Sequence, residues 1–268
     1  MSSKIRLLLS DVDGTLVPHD KILTKRTLKV VKDLHDAGII FALTSSRPPR
    51  GLRMYIDPLE LSTPIGAFNG GMIIEPDQRI LAERTIDDEI VATIIGLLDE
   101  HDVSVWVYRG QEWYVRDLDG PHVPREAEVC QFQPLVVENF DSLSDKVAKI
   151  VGASDDVEAL TRARTAIQTK VGERVSATNS QSFYLDITNP EANKGAVVDY
   201  LSSKFDLATD AIATIGDAHN DVSMFERSGL SIAMGNAEAD VKSSAMETTT
   251  TNEEEGFARA VERFILLK

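Results

Sequence analysis

The sequence predicts an α/β protein, with a Rossmann-like, doubly wound parallel-sheet core domain and an inserted α+β cap domain. An apolar strand, an amphipathic helix and a second apolar strand follow one another near the start of the chain, which is the unit of a right-handed parallel sheet. The same alternation resumes after Asn193, whereas the stretch between combines a predicted hairpin with helices and further strands. We therefore place the core domain at residues 1–82 and 189–268. The inserted domain is placed at 83–188.

The first core elements follow from hydrophobic spacing. Residues 4–10 are mostly apolar, which suits a central parallel strand better than an alternating one. Residues 24–37 carry apolar side chains at helical spacing, and Gly38 follows as a C-terminal stop. Further core elements are predicted as a strand at 39–43, a helix start at Pro48 and Pro49, and a strand at 65–68.

The inserted domain and the second half of the core are predicted from the same signals. In the insert we expect helices at 87–101 and 155–171, a hairpin at 103–108 and 112–115, and strands at 174–177 and 183–187. After Asn193 we expect a helix to 205, a strand at 211–215, a helix from 220, a strand at 230–234 and a helix from 253. Asn252 and Glu255 have the spacing of a capping box for that last helix.

Four aromatic residues mark the predicted hairpin of the insert. They could line a sugar-binding surface, but aromatic residues on neighbouring strands more often form core and cross-strand pairs. We therefore assign them to the core: Trp106, Tyr108, Trp113 and Tyr114.

Composition excludes several kinds of partner. The formal charge of −15 would repel a nucleic-acid backbone, and no apolar stretch is long enough to cross a bilayer. Cys130 is the only cysteine, so no internal disulfide can form and a cytoplasmic location is expected. The same acidity repels anionic substrates, so a metal and a few cations must dominate locally at any phosphate site.

Carboxylates stand at the ends of two predicted core strands. Asp11 follows the first strand and Asp217 follows the strand at 211–215, with Asp13 and Asp221 close by in sequence. Open parallel sheets bind ligands at the carboxyl ends of their strands, so these side chains could converge. Several carboxylates in one crevice repel each other unless a proton or a cation intervenes, and a purely oxygen ligand set favours a hard ion such as Mg²⁺.

These residues form a recognisable set of motifs. The segment Asp11-Val12-Asp13-Gly14-Thr15 resembles the DxDGT signature of the haloacid dehalogenase superfamily. Three further motifs follow in the family's order: Thr44 with Arg47-Pro48, Lys194-Gly195, and Gly216-Asp217-Ala218-His219-Asn220-Asp221. A resemblance to the Cof-type subfamily, which inserts a class IIB α/β cap between its second and third motifs, rests on Asn69-Gly70-Gly71 and Met234-Gly235-Asn236-Ala237. The resemblance spans nearly the whole chain.

The resemblance implies a Mg²⁺-dependent phosphatase that acts on a small phosphorylated metabolite, such as a sugar phosphate. Asp11 would attack phosphorus and become an aspartyl phosphate, which water then hydrolyses. Asp13 would first protonate the leaving group and then deprotonate the water. The metal would be held by Asp11, the main-chain carbonyl of Asp13 and Asp217, with Asp221 as a further ligand or as an orienting group.

The remaining site residues also come from the resemblance. Thr44 would donate a hydrogen bond to a phosphoryl oxygen and Lys194 would place a positive charge beside Asp11. The full set assigned to phosphate or substrate is Asp11, Thr44, Ser45, Arg47, Asn69, Gly70, Lys194 and Asn220. Ser46 stands where the family usually has glycine before the arginine, so Thr44 carries more weight in this set than Arg47.

Other interpretations remain open at this point. Asn220 and Asp221 could simply cap a helix, and Lys194 could be an ordinary surface lysine. A phosphomutase or phosphotransferase of the same superfamily would pass the phosphoryl group to a sugar hydroxyl. A non-catalytic phosphoacceptor or binding module is a third possibility, although a base such as Asp13 would shorten the lifetime of a signalling phosphate. The expected assembly is a monomer or a homodimer.

Overall fold

A computed structural model describes residues 5–267, so the predicted start of the first strand at residue 4 lies outside the described residues. The chain divides into two compact units. The first comprises the described residues up to Ser46, Leu52–Leu81 and the residues from Asn193 onward, and the second comprises Arg47–Gly51 and Ala82–Ala192. The sequence placed the insert at 83–188. The second unit also includes the short segment Arg47–Gly51, which lies outside that range.

Strands and helices alternate along most of the described chain. The strands are β1 (Leu7–Ser10), β2 (Ile40–Leu43), β3 (Ile65–Ala67), β4 (Met72–Ile74), β5 (Ile80–Glu83), β6 (Ser104–Arg109), β7 (Glu112–Val115), β8 (Leu135–Val136), β9 (Val147–Ala153), β10 (Ser176–Gln181), β11 (Tyr184–Thr188), β12 (Ile212–Gly216), β13 (Leu230–Ala233) and β14 (Glu247–Thr248). The α-helices are α1 (Lys25–Asp36), α2 (Pro49–Ile56), α3 (Asp88–Glu100), α4 (Val123–Cys130), α5 (Val157–Val171), α6 (Lys194–Phe205), α7 (Val222–Phe225), α8 (Ala239–Ser243) and α9 (Gly256–Ala260).

A five-stranded parallel sheet forms the centre of the first unit. Its strand order is β14-β13-β12-β1-β2, and every neighbouring pair runs parallel. The side chains of β1 are all buried, as expected for a strand covered on both faces. The predicted α/β class with a parallel core is confirmed.

Local signals explain where α1 begins and ends. Thr24 is its N-cap, and the Thr24 hydroxyl oxygen accepts the Thr27 N–H at 3.0 Å. Val30 and Leu34 on one face are buried, and Gly38 takes a left-handed conformation, with φ +71°, just beyond the helix. The helix predicted at 24–37 is confirmed with its caps.

The register of the parallel sheet fixes where the functional loops emerge. β1 and β12 are neighbours, with Ser10 paired to Ile215. Asp11 and Asp217 follow their strands at the same edge of the sheet. This edge carries the candidate active site.

The second unit contains a six-stranded sheet in the order β10-β11-β9-β6-β7-β8. Its neighbours are antiparallel except for β7 and β8. One face packs on α3 and α5 around an apolar core that includes Val107, Ile150 and Leu185. The predicted helices and hairpin are confirmed, whereas the strand predicted at 174–177 instead runs as β10 to Gln181.

The other face of this sheet is aromatic. Trp106, Tyr108 and Trp113 are buried there, so their assignment to the core is confirmed. Tyr114 is partly buried and packs against the apolar core on the opposite face.

Across residues 5–267 we find no helix with the length and apolar character needed to cross a bilayer.

Candidate active site

The loop after β1 is shaped around Asp217. Asp11 is buried and its N–H donates to the Ile215 carbonyl at 3.0 Å, which continues the pairing of β1 with β12. Gly14 has φ +82°, and a β-carbon there would lie 2.3 Å from Asp217 Oδ2, so only glycine permits this approach. The Thr15 hydroxyl donates to Asp217 Oδ1 at 3.0 Å. The first and fourth sequence motifs are therefore in direct contact.

Three carboxylates and one ammonium form the centre of the site. Asp11, Asp217 and Asp221 each offer one carboxylate oxygen, and these three atoms lie within 4.8 Å of one another. Lys194, at the start of α6 and only 1% exposed, donates from Nζ to Asp11 Oδ1 at 2.6 Å and to Asp221 Oδ1 at 2.5 Å. One positive charge thus faces three carboxylates, which is an arrangement that a divalent cation would stabilise.

Asp221 shapes the loop that presents Asp217. Its Oδ2 accepts the N–H groups of Asp217 and Ala218 at 2.8 and 2.9 Å, while its Oδ1 accepts from Lys194. A β-carbon on Gly216 would lie 2.3 Å from Asp221 Cγ, so the glycine of this motif makes room for the carboxylate. The sequence left open whether Asp221 is a metal ligand or an orienting group. These contacts support the orienting role.

Burial and crowding shift the pKa values of the site. Burial raises the pKa of Asp11 well above its usual range; Lys194 lowers it, and Asp221 and Asp217 raise it further. Burial, together with the neighbouring Asp221, raises the pKa of Asp217 to about 6 against the opposing hydrogen bond from Thr15. Burial lowers the pKa of Lys194, but Asp11 and Asp221 raise it by more, so this ammonium stays charged at neutral pH.

Thr44 places a hydroxyl beside the end of β1. Its N–H donates to the Ser10 carbonyl at 2.9 Å, and the residue is fully buried. Its Oγ1 is buried and finds no hydrogen-bond partner among residues 5–267. The next residue, Ser45, is anchored through its N–H to the Gly66 carbonyl at 2.8 Å. An unmet buried hydroxyl in a rigid loop is suited to a phosphoryl oxygen.

Asn69, Gly70 and Asn220 are linked to this loop. Asn69 has a left-handed backbone, with φ 57°, its N–H donates to the Ser45 carbonyl at 2.8 Å, and its Oδ1 accepts from Asn220 Nδ2 at 3.0 Å. Gly70 has φ +87°, and a β-carbon there would lie 2.5 Å from the Asn193 carbonyl oxygen. The structure thus links Asn69 to Ser45 and to Asn220, while Gly70 lies close to the Asn193 main chain.

The Arg47 side chain donates hydrogen bonds to carbonyl groups of the second unit. It is buried, and its Nη1 donates to the Val129 carbonyl at 2.9 Å and to the Gly51 carbonyl at 3.4 Å. The sequence assigned Arg47 to phosphate binding together with Thr44. These two hydrogen bonds hold its own segment to the end of α4, and the assignment of Arg47 to phosphate stays a prediction.

Sequence reasoning missed three contacts of the site. Asp13 forms an ion pair with Lys21 at 2.8 Å, and both side chains are about one third exposed, at 30% and 32%. Asn236 Nδ2 donates to the Gly14 carbonyl at 2.9 Å and to Asp217 Oδ2 at 3.1 Å. The third contact is the Thr15 hydrogen bond to Asp217. Asn236 lies in a motif that had been noted without a role, whereas nothing in the spacing of Lys21 identifies it.

Comparison with known proteins gives a consistent result. The sequence pattern of the haloacid dehalogenase-like hydrolase family matches residues 8–261. A Haemophilus influenzae relative, whose name assigns it to the phosphatases, is 28% identical over 258 residues, covering 96% of this chain and 97% of the relative. A Bacillus subtilis 5-amino-6-(5-phospho-D-ribitylamino)uracil phosphatase is 26% identical over 274 residues, covering 100% of both chains. The crystal structure of a haloacid dehalogenase-like hydrolase from Bacteroides thetaiotaomicron has a TM-score of 0.88 and 27% identity, covering 97% and 99% of the two chains.

Proposed function

This chain belongs to the haloacid dehalogenase-like hydrolases and is an enzyme of their phosphatase type, and on that premise we propose that it is a Mg²⁺-dependent phosphatase working through an aspartyl phosphate on Asp11. The observation that carries the proposal is the meeting of Asp11, Asp217 and Asp221 around Lys194. The proposed substrate is a small, hydroxyl-bearing phosphate ester, such as a sugar or sugar-alcohol phosphate. A ribityl phosphate in the name of one relative supports this class.

The donor set fits Mg²⁺. Among residues 5–267, the potential metal ligands that converge at the cluster are carboxylate oxygens, and hard divalent cations prefer such ligands. Asp11 and Asp217, with the main-chain carbonyl of Asp13, would hold the ion, and Asp221 would fix the loop that presents Asp217. When bound, the ion supplies positive charge that offsets the charge of the phosphoryl group.

Asp11 and Asp13 divide the chemistry between them. In the first half-reaction an Asp11 carboxylate oxygen forms a bond to phosphorus, the bond to the leaving oxygen breaks, and Asp13 gives that oxygen a proton. In the second, water bonds to phosphorus, Asp13 accepts the water proton, and the bond to Asp11 breaks to release inorganic phosphate. Asp13 is the more exposed of the two, which suits a group that exchanges protons with solvent.

The remaining residues hold the phosphoryl group and the reacting carboxylate. Thr44 donates its hydroxyl to a phosphoryl oxygen, with the adjoining Ser45 and Gly70 backbone shaping the loop. Lys194 keeps Asp11 in place, and its ammonium opposes the rise in the pKa of Asp11 that burial causes. Asn220, held by Asn69, orients the substrate.

The proposal is tested by phosphate release from a broad panel of phosphate esters. Purified protein with Mg²⁺ should release phosphate from several sugar phosphates, and EDTA should abolish the release. Phosphate transfer to a sugar acceptor in place of water would identify a phosphotransferase instead. Absence of phosphate release and transfer across the whole panel, in folded protein with Mg²⁺, would contradict the proposal.

Thr44→Val should change stability and activity in opposite directions. The substitution removes a buried hydroxyl with no partner in the described residues, so we expect the free energy of unfolding to rise by about 1 kcal/mol. It also removes the donor to the phosphoryl group, so kcat should fall by roughly 100-fold. Urea unfolding and steady-state kinetics measure the two effects.

Thr63→Val is the matched control. Thr63 is also buried, but its hydroxyl donates to the Phe41 carbonyl at 2.7 Å. This variant should lose about 1 kcal/mol of stability and keep its kcat. A Thr44→Val enzyme with wild-type kcat would remove Thr44 from the phosphate site.

Stability without metal should depend on pH through Asp217. Its pKa is about 6 in the folded protein, above the ordinary value of the unfolded chain, so the folded state holds the proton more tightly. In EDTA, stability should therefore fall by on the order of 2 kcal/mol as the pH rises from about 4 to about 6. Excess Mg²⁺ should reverse the trend, because metal ligands must be deprotonated.

Melting temperatures across this pH range, with and without Mg²⁺, measure the effect. Asp217→Asn provides the comparison, since it has no proton to lose at this position. Its curve in EDTA should be flatter than that of the wild type. Parallel curves for the two proteins would contradict the prediction.

A further inference from the structure

The loop between β1 and α1 folds back and returns to Asp13. Asp13 and Val17 form an isolated bridge, and the Lys21 N–H donates to the Pro18 carbonyl at 3.0 Å to close a further turn. Lys21 has a left-handed backbone, with φ 64°. This conformation is unfavourable for a lysine, because its β-carbon crowds the main chain there. The turn brings the Lys21 ammonium to 2.8 Å from Asp13 Oδ1.

Contacts with other parts of the first unit hold this loop in place. The Val17 carbonyl accepts a hydrogen bond from Asn252 Nδ2 at 3.1 Å. The hydroxyl of Tyr55, whose side chain is buried, donates to the Lys21 carbonyl at 3.3 Å. All of these residues belong to the first unit. The main chain that carries the Lys21 ammonium is therefore anchored on both sides of the turn.

Stability does not explain the pair of Lys21 and Asp13. Both side chains are about one third exposed, at 32% and 30%, and ion pairs open to solvent contribute little to the free energy of unfolding. A strained backbone beside a reactive group instead supports a role in function. Asp13 is the proposed proton donor and acceptor, and the rate of such a transfer depends on where the carboxylate points.

We propose that Lys21 is a positioning residue, which holds the Asp13 carboxylate in one orientation for both proton transfers. The inference rests on the proposed phosphatase function and adds to its site a residue from outside the four sequence motifs. An ammonium suits this task, because it has three N–H donors and no acceptor. It can hold one carboxylate oxygen without competing for the proton that Asp13 must accept.

The test compares Lys21→Met with Lys21→Arg. Lys21→Met removes the ion pair and should lower kcat for the best sugar phosphate of the panel by roughly 10- to 100-fold, with KM changed less than about threefold. Lys21→Arg keeps a charged donor and should recover most of the lost kcat. The melting temperature should change little in either variant, because the pair is exposed.

Acetyl phosphate gives a second measurement that a structural role would not change. Its good leaving group needs no acid, whereas hydrolysis of the aspartyl phosphate still needs a well-placed base. The fraction of protein that carries the aspartyl phosphate during turnover should therefore be higher in Lys21→Met than in the wild type. An equal fraction in the two proteins would overturn the inference.

A double-variant cycle ties the effect to Asp13. Once Asp13→Asn has removed the acid and base, adding Lys21→Met should change kcat by less than about twofold. Fully additive losses would mean that Lys21 acts elsewhere and would overturn the inference. An unchanged or higher kcat in Lys21→Met would overturn it as well, and so would an effect confined to KM, which would place Lys21 in substrate binding.

Lys29→Met is the matched control. Lys29 lies in α1 and donates to Asp33 Oδ2 at 2.8 Å, so this variant also removes a lysine–aspartate pair from the first unit. It should keep the kcat and KM of the wild type. Wild-type protein that hydrolyses no member of the panel would contradict the phosphatase function itself. An active wild type with an equally active Lys21→Met variant would overturn only the role of Lys21.

Discussion

Asp11→Asn should abolish phosphate release, lowering kcat by on the order of 10⁵-fold. The amide has nearly the shape of the carboxylate but cannot act as the nucleophile, so no phosphoryl group can be accepted at this position. The fold should remain intact. Because burial raises the pKa of Asp11, a neutral side chain there should leave the metal-free protein as stable as the wild type or more so. Steady-state kinetics and thermal melting in EDTA measure these effects.

Asp36→Asn is the control for this substitution. Asp36 is an exposed aspartate of the same unit, at the end of α1, and its only described ion pair is with Lys32 at the surface. Its variant should keep wild-type kcat and lose little stability. An Asp11→Asn enzyme that retained a tenth or more of wild-type kcat would contradict the role of Asp11 as nucleophile.

Lys194→Met should have the largest effect on stability. Lys194 is the buried partner of both Asp11 and Asp221, so its loss leaves two buried carboxylates without a counter-charge. Breaking a buried pair in this way costs about 3–5 kcal/mol. We expect a loss of that size in urea unfolding with EDTA, and a fall in kcat of at least about 100-fold with Mg²⁺.

Two comparisons separate charge from packing in this prediction. In Lys194→Met with Asp221→Asn, one of the unpaired carboxylates is removed, so part of the lost stability should return while activity stays low. Excess Mg²⁺ should also restore part of the stability of the single variant, because the ion supplies positive charge to the same cluster. Wild-type stability of Lys194→Met in EDTA would show that the ammonium does not hold the carboxylates together.

The core could be predicted from the sequence because its signals are local and agree with one another. Thr24, the apolar spacing of α1 and Gly38 all indicate the same helix. Two apolar strands followed by aspartates predicted that Asp11 and Asp217 would meet, since adjacent parallel strands end at one edge of a sheet. The prediction needed only that both strands belong to one parallel sheet.

Other elements lacked a decisive local signal. β9, in the middle of the second unit's sheet, was missed although all of its side chains are buried, because Lys149 and Gly152 interrupt its apolar run. The capping box predicted at Asn252 and Glu255 was wrong by one residue. Thr251 forms it instead, with its N–H and hydroxyl both donating to Glu254 Oε2. Adjacent polar residues fit the same spacing rule, and only the backbone decides between them.

The fine structure of the site could not be predicted for a different reason. Asn236 contacts Gly14 and Asp217, and Thr15 also contacts Asp217. The two contacts that involve the first motif, Asn236 with Gly14 and Thr15 with Asp217, join residues more than 200 positions apart in the sequence. Such contacts depend on how two loops approach each other, which spacing along the chain does not encode. The same holds for the hydrogen bonds that Arg47 donates to the Val129 carbonyl in α4 and to the Gly51 carbonyl.

Direct detection of a phosphoryl group on Asp11 is the measurement that tests the central claim most closely. The Asp13→Asn variant should accumulate the aspartyl phosphate from acetyl phosphate, because a good leaving group needs no acid whereas hydrolysis of the intermediate lacks its base. After an acid quench, peptide mass spectrometry should find one added phosphoryl group on the peptide that contains Asp11, and none in the variant that also carries Asp11→Asn. Turnover with the phosphoryl group on another residue, or on none, would contradict the account.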